Sequence, residues 1–170
     1  MMGTNMAYRR RDLLEIGGFD EFYQWVYDDT DVALRLVNAG KLVHPVKETV
    51  VYHAPASSRN RQVNTASGNW WIQTKAAFYF NIKNGPKGGN SWRDINLRNL
   101  HLWHGHLLWY RNLRRHRKIS WGQYSKMYVQ ELRGVLSGAY HGLRRQVHDI
   151  SPVSAQSMIN TTDPIRTLPK

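Results

Sequence analysis

Residues 55 to 69, "PASSRNRQVNTASGN", form a polar, turn-rich stretch that splits the chain into two parts of different character. Ahead of it, short pieces are punctuated by Gly17, Gly18, Gly40 and Pro45. Behind it run longer helical patterns. "RRDLLEIGG" reads as a short helix ended by Gly17 and Gly18, which suit a left-handed C-terminal cap. From Thr30 to Ala39 the residues Ala33, Leu36 and Val37 share one helical face, and Gly40 closes it. "TNMAYR" has strand composition, and "KLVHP" and "ETVVYHA" read as short strands flanked by Pro45 and Pro55. The order strand, helix, helix, strand, strand predicts an α/β fold for residues 1 to 56. Residues 57 to 69 are expected to be a loop, residues 70 to 148 a helical extension, and residues 149 to 170 a loose tail. Within the extension, "WWIQTKAAFYFNIKN" predicts one helix. Two more are expected over residues 94 to 117 and 121 to 148, beyond the breaker-rich link "NGPKGGNS".

Hydrophobic residues make up 41% of the 170 positions, enough to bury a core. Cysteine is absent, which excludes a disulfide framework and a thiolate metal site. The opening "MMGTNMAYRR" lacks the apolar centre of a secretory signal, so none is expected. Nor does any apolar run approach the ~18 residues of a spanning helix. The formal net charge of +12 calls for an anionic partner: nucleic acid, a membrane surface or a phosphorylated substrate. Its distribution says more than its total. Seven of the 12 acidic residues lie between Asp12 and Asp31, whereas residues 49 to 148 hold only Asp94 and Glu131. An acidic focus thus precedes a long basic segment.

Within that focus, "WVYDDTDVALRLVNAG" places Asp28, Asp29 and Asp31 directly before an apolar, helix-like run. One reading makes Thr30 or an aspartate the helix cap, with the other carboxylates complementing the positive end of the helix dipole. Yet one cap needs one side chain, and three neighbouring carboxylates repel one another. Crowding raises a carboxylate pKa while a helix N-terminus lowers it, a balance suited to a general base acting on a hydroxyl. "DTD" also reads as a carboxylate pair for Mg²⁺ or Mn²⁺. Spacing alone leaves all three open.

His53 ends a β-branched run where a strand would deliver it to the polar loop, and a neutral imidazole there can bind a divalent metal beside phosphate. The alternative is a partly buried structural histidine. Arg59 and Arg61, inside the loop, are placed either to pair with phosphate or to remain solvated.

Taken together, residues 3 to 55 resemble the second half of the catalytic domain of family-2 glycosyltransferases, which have the GT-A fold. The matching elements are Gly-x-Asn-Met with an aromatic and an arginine, a helix, Gly-Gly-Phe-Asp-Glu, an acidic pair followed by x-Asp, and Tyr-His at a strand end. The resemblance implies that Asp29 is the catalytic base, with Asp28 as its companion and Asp31 at the acidic position opening the helix. It implies that Gly3, Asn5, Met6 and Asp31 lie near the donor sugar and acceptor. It further implies that His53 completes a Mg²⁺ or Mn²⁺ site at the nucleotide diphosphate. The implied reaction is inverting transfer from a nucleotide-sugar donor to a glycan or lipid-linked acceptor, at the cytoplasmic face of the cell membrane. The family's nucleotide-binding half, with its Asp-x-Asp motif, has no counterpart in this sequence. The sequence therefore reads as a truncated frame, a fragment or one piece of a split enzyme, the last with a separate chain supplying that half as partner, and the isolated chain is expected to be inactive.

"LRNLHLWHGHLLWYRNLRRHRK" combines leucines, tryptophans, histidines and arginines. His101, His104 and His106 have no nearby carboxylate or cysteine to support a metal. The stretch reads either as an interfacial helix at a membrane surface or as a packing helix with a solvated basic face. "WGQYSKMYVQELRGVLSGAYHGLRR" is expected to pack beside it, its glycines permitting close contact. Two further readings of the whole chain stand beside the enzyme: a basic nucleic-acid-binding module and a non-catalytic membrane-surface module. The first has no recognisable binding motif and leaves the acidic cluster without a role, so nucleic acid is not an expected partner.

Overall fold

The computed structural model describes residues 5–44, 46, 50–52, 70–86 and 89–144. Among them it is helical throughout: α1 (Arg10–Glu15), a 3-10 turn (Glu21–Tyr23), α2 (Asp28–Asn38), α3 (Trp70–Asn84), α4 (Trp92–Arg115) and α5 (Trp121–Arg144). The glycine stop signals act as expected, with Gly17, Gly18 and Gly40 at φ of 80°, 73° and 76°. Gly18 N–H reaches back to the Leu13 carbonyl at 2.9 Å, and Lys41 N–H to that of Leu36 at 3.0 Å, closing α1 and α2.

The expected α/β architecture is not found. No strand occurs among the described residues, and those of "TNMAYR", "KLVHP" and "ETVVYHA" run outside regular structure. A strand exists only through hydrogen bonds to a neighbouring strand, and the described residues offer none to pair with. Leu42, Val50 and Tyr52 are 83%, 73% and 94% exposed, so their apolar composition buries nothing here. Composition encoded a preference for extended backbone; no sheet among the described residues uses it.

The helix α3 is the axis of the assembly. Its buried residues lie on every side, from Ile72 and Thr74 through Tyr79 to Lys83 and Asn84, as befits a helix covered all round. Along one side runs α5, which presents Gly134, Gly138 and Gly142 to it. A Cβ at Gly134 would stand 2.6 Å from the Trp71 carbonyl oxygen, and one at Gly142 would stand 2.9 Å from Ile82 Cβ. These helices touch through backbone. The glycines of α5 therefore serve α3 rather than α4, the neighbour that the sequence suggested. The second helix pair, α4 and α5, closes over Tyr110, Ile119 and Met127. Near the other end of α3, Tyr23 packs on Ala76 and Tyr79, with Phe22, Val26, Tyr27 and Phe80 around them.

Candidate functional site

The aspartate run enters α2 from a strained turn. Gln24 and Tyr27 adopt φ of 63° and 70°, a left-handed conformation that non-glycine residues seldom take. Tyr27 is the N-cap residue and offers no side-chain cap, so all three aspartates fall inside the first helical turn. Their carboxylates complement the exposed N–H groups there. Asp29 goes further: one of its oxygens accepts the Thr30 N–H at 2.7 Å and the Thr30 hydroxyl at 3.2 Å.

Helical geometry then separates the three. Asp31 points inward and is fully buried. Its Oδ1 accepts from the Tyr23 hydroxyl at 3.0 Å, the Lys83 ammonium at 3.0 Å and the Asn84 amide at 3.2 Å. Its Oδ2 accepts from Arg35 Nε at 2.7 Å. The other nitrogens of Arg35 donate to the carbonyls of Ile16 and Gly18, at 2.7 and 2.5 Å, where α1 ends. Lys83 also donates to Asp20 at 2.8 Å, and the Tyr79 hydroxyl does the same at 2.8 Å. Two buried carboxylates thus meet two cations, which ties α1, the 3-10 turn and α2 to α3. Burial alone would raise the Asp31 carboxyl, but Lys83 and Arg35 outweigh it and hold it below its ordinary range. Tyr23 and Tyr79 are pushed up, first by burial and then by the adjoining carboxylates. With every oxygen of Asp31 engaged, the expectation that it binds sugar gives way to a structural role.

Asp28 and Asp29 are less enclosed. Both are half-buried, and among the described residues neither forms an ion pair. Tyr8 lies near them, its hydroxyl raised by burial and then by the charges of Asp29 and Asp28. That hydroxyl donates to the Met6 sulfur at 3.0 Å. Met6 is thereby brought toward the acidic pair through Tyr8, while Asn5, just before it, is exposed. Gly3, His53, Arg59 and Arg61 lie outside the described residues. No group of three His, Asp or Glu side chains among the described residues could hold a metal ion. The described residues therefore do not by themselves make the Mg²⁺ or Mn²⁺ site that the resemblance implies.

A second polar centre lies at the opposite end of α3, one to which no role is assigned on sequence grounds. Glu131 is fully buried and accepts from the Thr74 hydroxyl at 2.5 Å and from the Tyr110 hydroxyl in a short hydrogen bond. His106 Nδ1 stands 3.0 Å from Thr74 Oγ1 and 3.3 Å from Glu131 Oε1. The single Thr74 proton is given to Glu131, so Nδ1 must carry the proton in its contact with Thr74. Burial would raise the Glu131 carboxyl, but His106, Thr74 and Tyr110 together hold it low. His106 is thus a hydrogen-bond partner of α5, while His101 and His104 have no metal-binding group around them. The available signal was Glu131 itself, one of two acids in a hundred basic-rich residues. Lys83 likewise falls on the row Ile72, Ala76, Tyr79, and a charge on an apolar row demands a buried partner.

No family model matches the chain, and neither a curated protein nor a solved structure does. Among the described residues, no helix is long and apolar enough to cross a membrane.

Proposed function

We propose that the chain is the acceptor-side part of a glycosyltransferase, with Asp29 as the base that removes the proton from an acceptor hydroxyl. One observation carries the reading: the fold neutralises Asp31 with two cations, yet leaves Asp28 and Asp29 half-buried, unpaired and fixed on a braced helix end. Carboxylates serving only the helix dipole need no such rigid mounting. One oxygen of Asp29 is anchored by Thr30, which orients the other toward a partner. Proton removal by a positioned base contributes roughly 10²- to 10⁴-fold in rate. Asp28 keeps the site negative and so favours an incoming hydroxyl over an anion. Met6 and Tyr8 form one wall beside the pair.

Donor binding falls to a nucleotide-binding half outside these 170 residues, and the reaction takes place on a glycan or lipid-linked acceptor at the cytoplasmic membrane face. A divalent ion would assist departure of the diphosphate, with His53 as the ligand this chain offers. The test is sugar transfer from labelled nucleotide sugars to a membrane-lipid extract, using tagged chain recovered from its source cells together with its partners. Asp29→Asn should lower transfer by about 10²- to 10⁴-fold without reducing donor binding. Undiminished turnover in that variant removes Asp29 from the base role, and transfer by these 170 residues alone contradicts the need for a separate nucleotide-binding half.

A further inference from the structure

The C-terminal end of α4 and the start of α5 meet at a corner unlike the rest of the surface. Arg111, Arg114, Arg115 and Arg117 line an open groove there together with Trp121. The only acids of residues 70–144 are engaged elsewhere, Asp94 with Ser91 and Glu131 with Thr74 and Tyr110. No carboxylate therefore pairs with these guanidinium groups among the described residues. A helix C-terminus carries only about half a negative charge, so it does not balance four cations. Two of the arginines are also held in place. The Arg114 guanidinium stacks on the Trp121 ring at 4.3 Å, and its Nε is buried without a partner. Arg117 takes φ of 54° at the position where α4 ends, where glycine would be relaxed.

From the same corner an apolar row runs outward along α5. Val129, Leu132, Leu136, Tyr140 and Leu143 follow one another at spacings of three and four residues, so they share a helical face. Each is between 43% and 63% exposed, on a different side of the helix from the glycines that meet α3. Trp121, 66% exposed, belongs both to the groove and to the start of this row.

We infer that this face docks on an anionic phospholipid surface, with headgroup phosphates in the arginine groove and the α5 row at the acyl boundary. Planar guanidinium groups pair with phosphate in two-point hydrogen bonds. Trp and Tyr rings suit the headgroup level, and an amphipathic helix with adjoining cations lies in that plane. Nucleic acid would satisfy the arginines but give the leucines nothing apolar to enter. A second copy would set like against like, because a twofold contact pairs a patch with itself and Lys126 and Arg133 stand beside the row. The sequence pointed to the α4 segment as the interfacial helix; the structure adds the α5 face and places the phosphate contacts at the corner. The inference stands apart from sugar transfer and can fail without it.

The experiment is flotation of the purified full chain with phosphatidylcholine vesicles containing or lacking phosphatidylglycerol, across a salt series. Binding is expected only with the anionic lipid and should weaken as salt rises. The quadruple change Arg111→Gln, Arg114→Gln, Arg115→Gln, Arg117→Gln should weaken it by more than about tenfold. Leu132→Ser with Leu136→Ser, both exposed and so harmless to folding, should weaken it as well while leaving the salt dependence intact. Brominated lipid should quench the fluorescence that the Trp121→Phe variant lacks. Equal binding to neutral vesicles, no vesicle binding, or binding untouched by either variant set overturns the inference. So do capture of DNA in place of vesicles and a dimer that the leucine changes dissolve. Inorganic phosphate that abolishes binding at constant ionic strength would identify a soluble phosphate ligand and equally overturn it.

Discussion

Toward one end of α3 a buried aspartate is held by cations, and toward the other a buried glutamate is held mainly by hydroxyl groups. Asp31 meets Lys83 from distant α3 and Arg35 from its own helix, whose guanidinium also reaches the end of α1, so that α1, α2 and α3 are drawn together. Glu131 meets Thr74, Tyr110 and the Nδ1 of His106, and fastens α5 to α3 and α4. The difference lies in what a lost partner leaves behind. Removing Asp31 deprives Arg35 of its carboxylate and Lys83 of one of its two; removing Glu131 strands neutral hydroxyls that can rotate toward other acceptors.

The largest expected effect tests the first half of that contrast. Asp31→Ala should cost about 3–5 kcal/mol of unfolding free energy in urea titration, because Arg35 loses its carboxylate and Lys83 keeps only Asp20 of its two. A loss under about 1 kcal/mol would mean the network does not hold the helices together. Glu131→Gln should cost less, about 1–3 kcal/mol, since the amide still accepts from one hydroxyl. If both substitutions cost the same, the proposed distinction between charged and neutral partners fails.

Acid should act on both ends in the same direction. Each carboxyl is held below its ordinary value, 3.8 for Asp31 and 4.5 for Glu131, in the folded chain. Their stabilisation is therefore complete above those values and is lost as pH falls below them through the folded pKa. Asp31→Asn should flatten the acid limb of a stability-against-pH profile, and so should Glu131→Gln. An unchanged acid limb in both variants would place the acid-sensitive groups elsewhere.

Between the two centres, Gly138→Ala tests the seam itself. The added methyl would meet the Lys75 carbonyl oxygen and stand 2.8 Å from Phe78 Cβ. Overpacking of about 1–3 kcal/mol should outweigh the gain of up to about 1 kcal/mol in helix propensity, lowering the melting temperature. The smallest effect belongs to the less enclosed carboxylates. Asp29→Asn should move stability by no more than about 0.5 kcal/mol, because Asp29 is half-buried and, among the described residues, its hydrogen bonds are with the adjoining Thr30 alone. A large loss there would make Asp29 a structural residue like Asp31.

Much of this was legible along the chain. The apolar run from Trp70 to Asn84 predicted α3 to the residue, and Gly17, Gly18 and Gly40 marked the ends of α1 and α2. These signals are local: a left-handed φ or a 3.6-residue period needs no distant partner. The strand-like runs were misleading for the complementary reason. β-Branched composition at Val50 and Val51 becomes a strand only when another strand lies alongside. Three aspartates in four positions looked equivalent in sequence, since charge and spacing do not say which side of the helix the protein will cover.

The sequence alone determined the helices after residue 70, the stops of the short helices before it, and the existence of an acidic focus on a basic chain. Only the tertiary structure decided that Asp31 is consumed by Lys83 and Arg35 while Asp28 and Asp29 stay half-buried without an ion pair among the described residues. It also decided that the α5 glycines close on α3 and that the arginines of α4 gather around Trp121. Helix periodicity and glycine backbone preferences act over a few residues. The pairing of buried charges depends on which distant faces meet, and that is settled only when the helices pack.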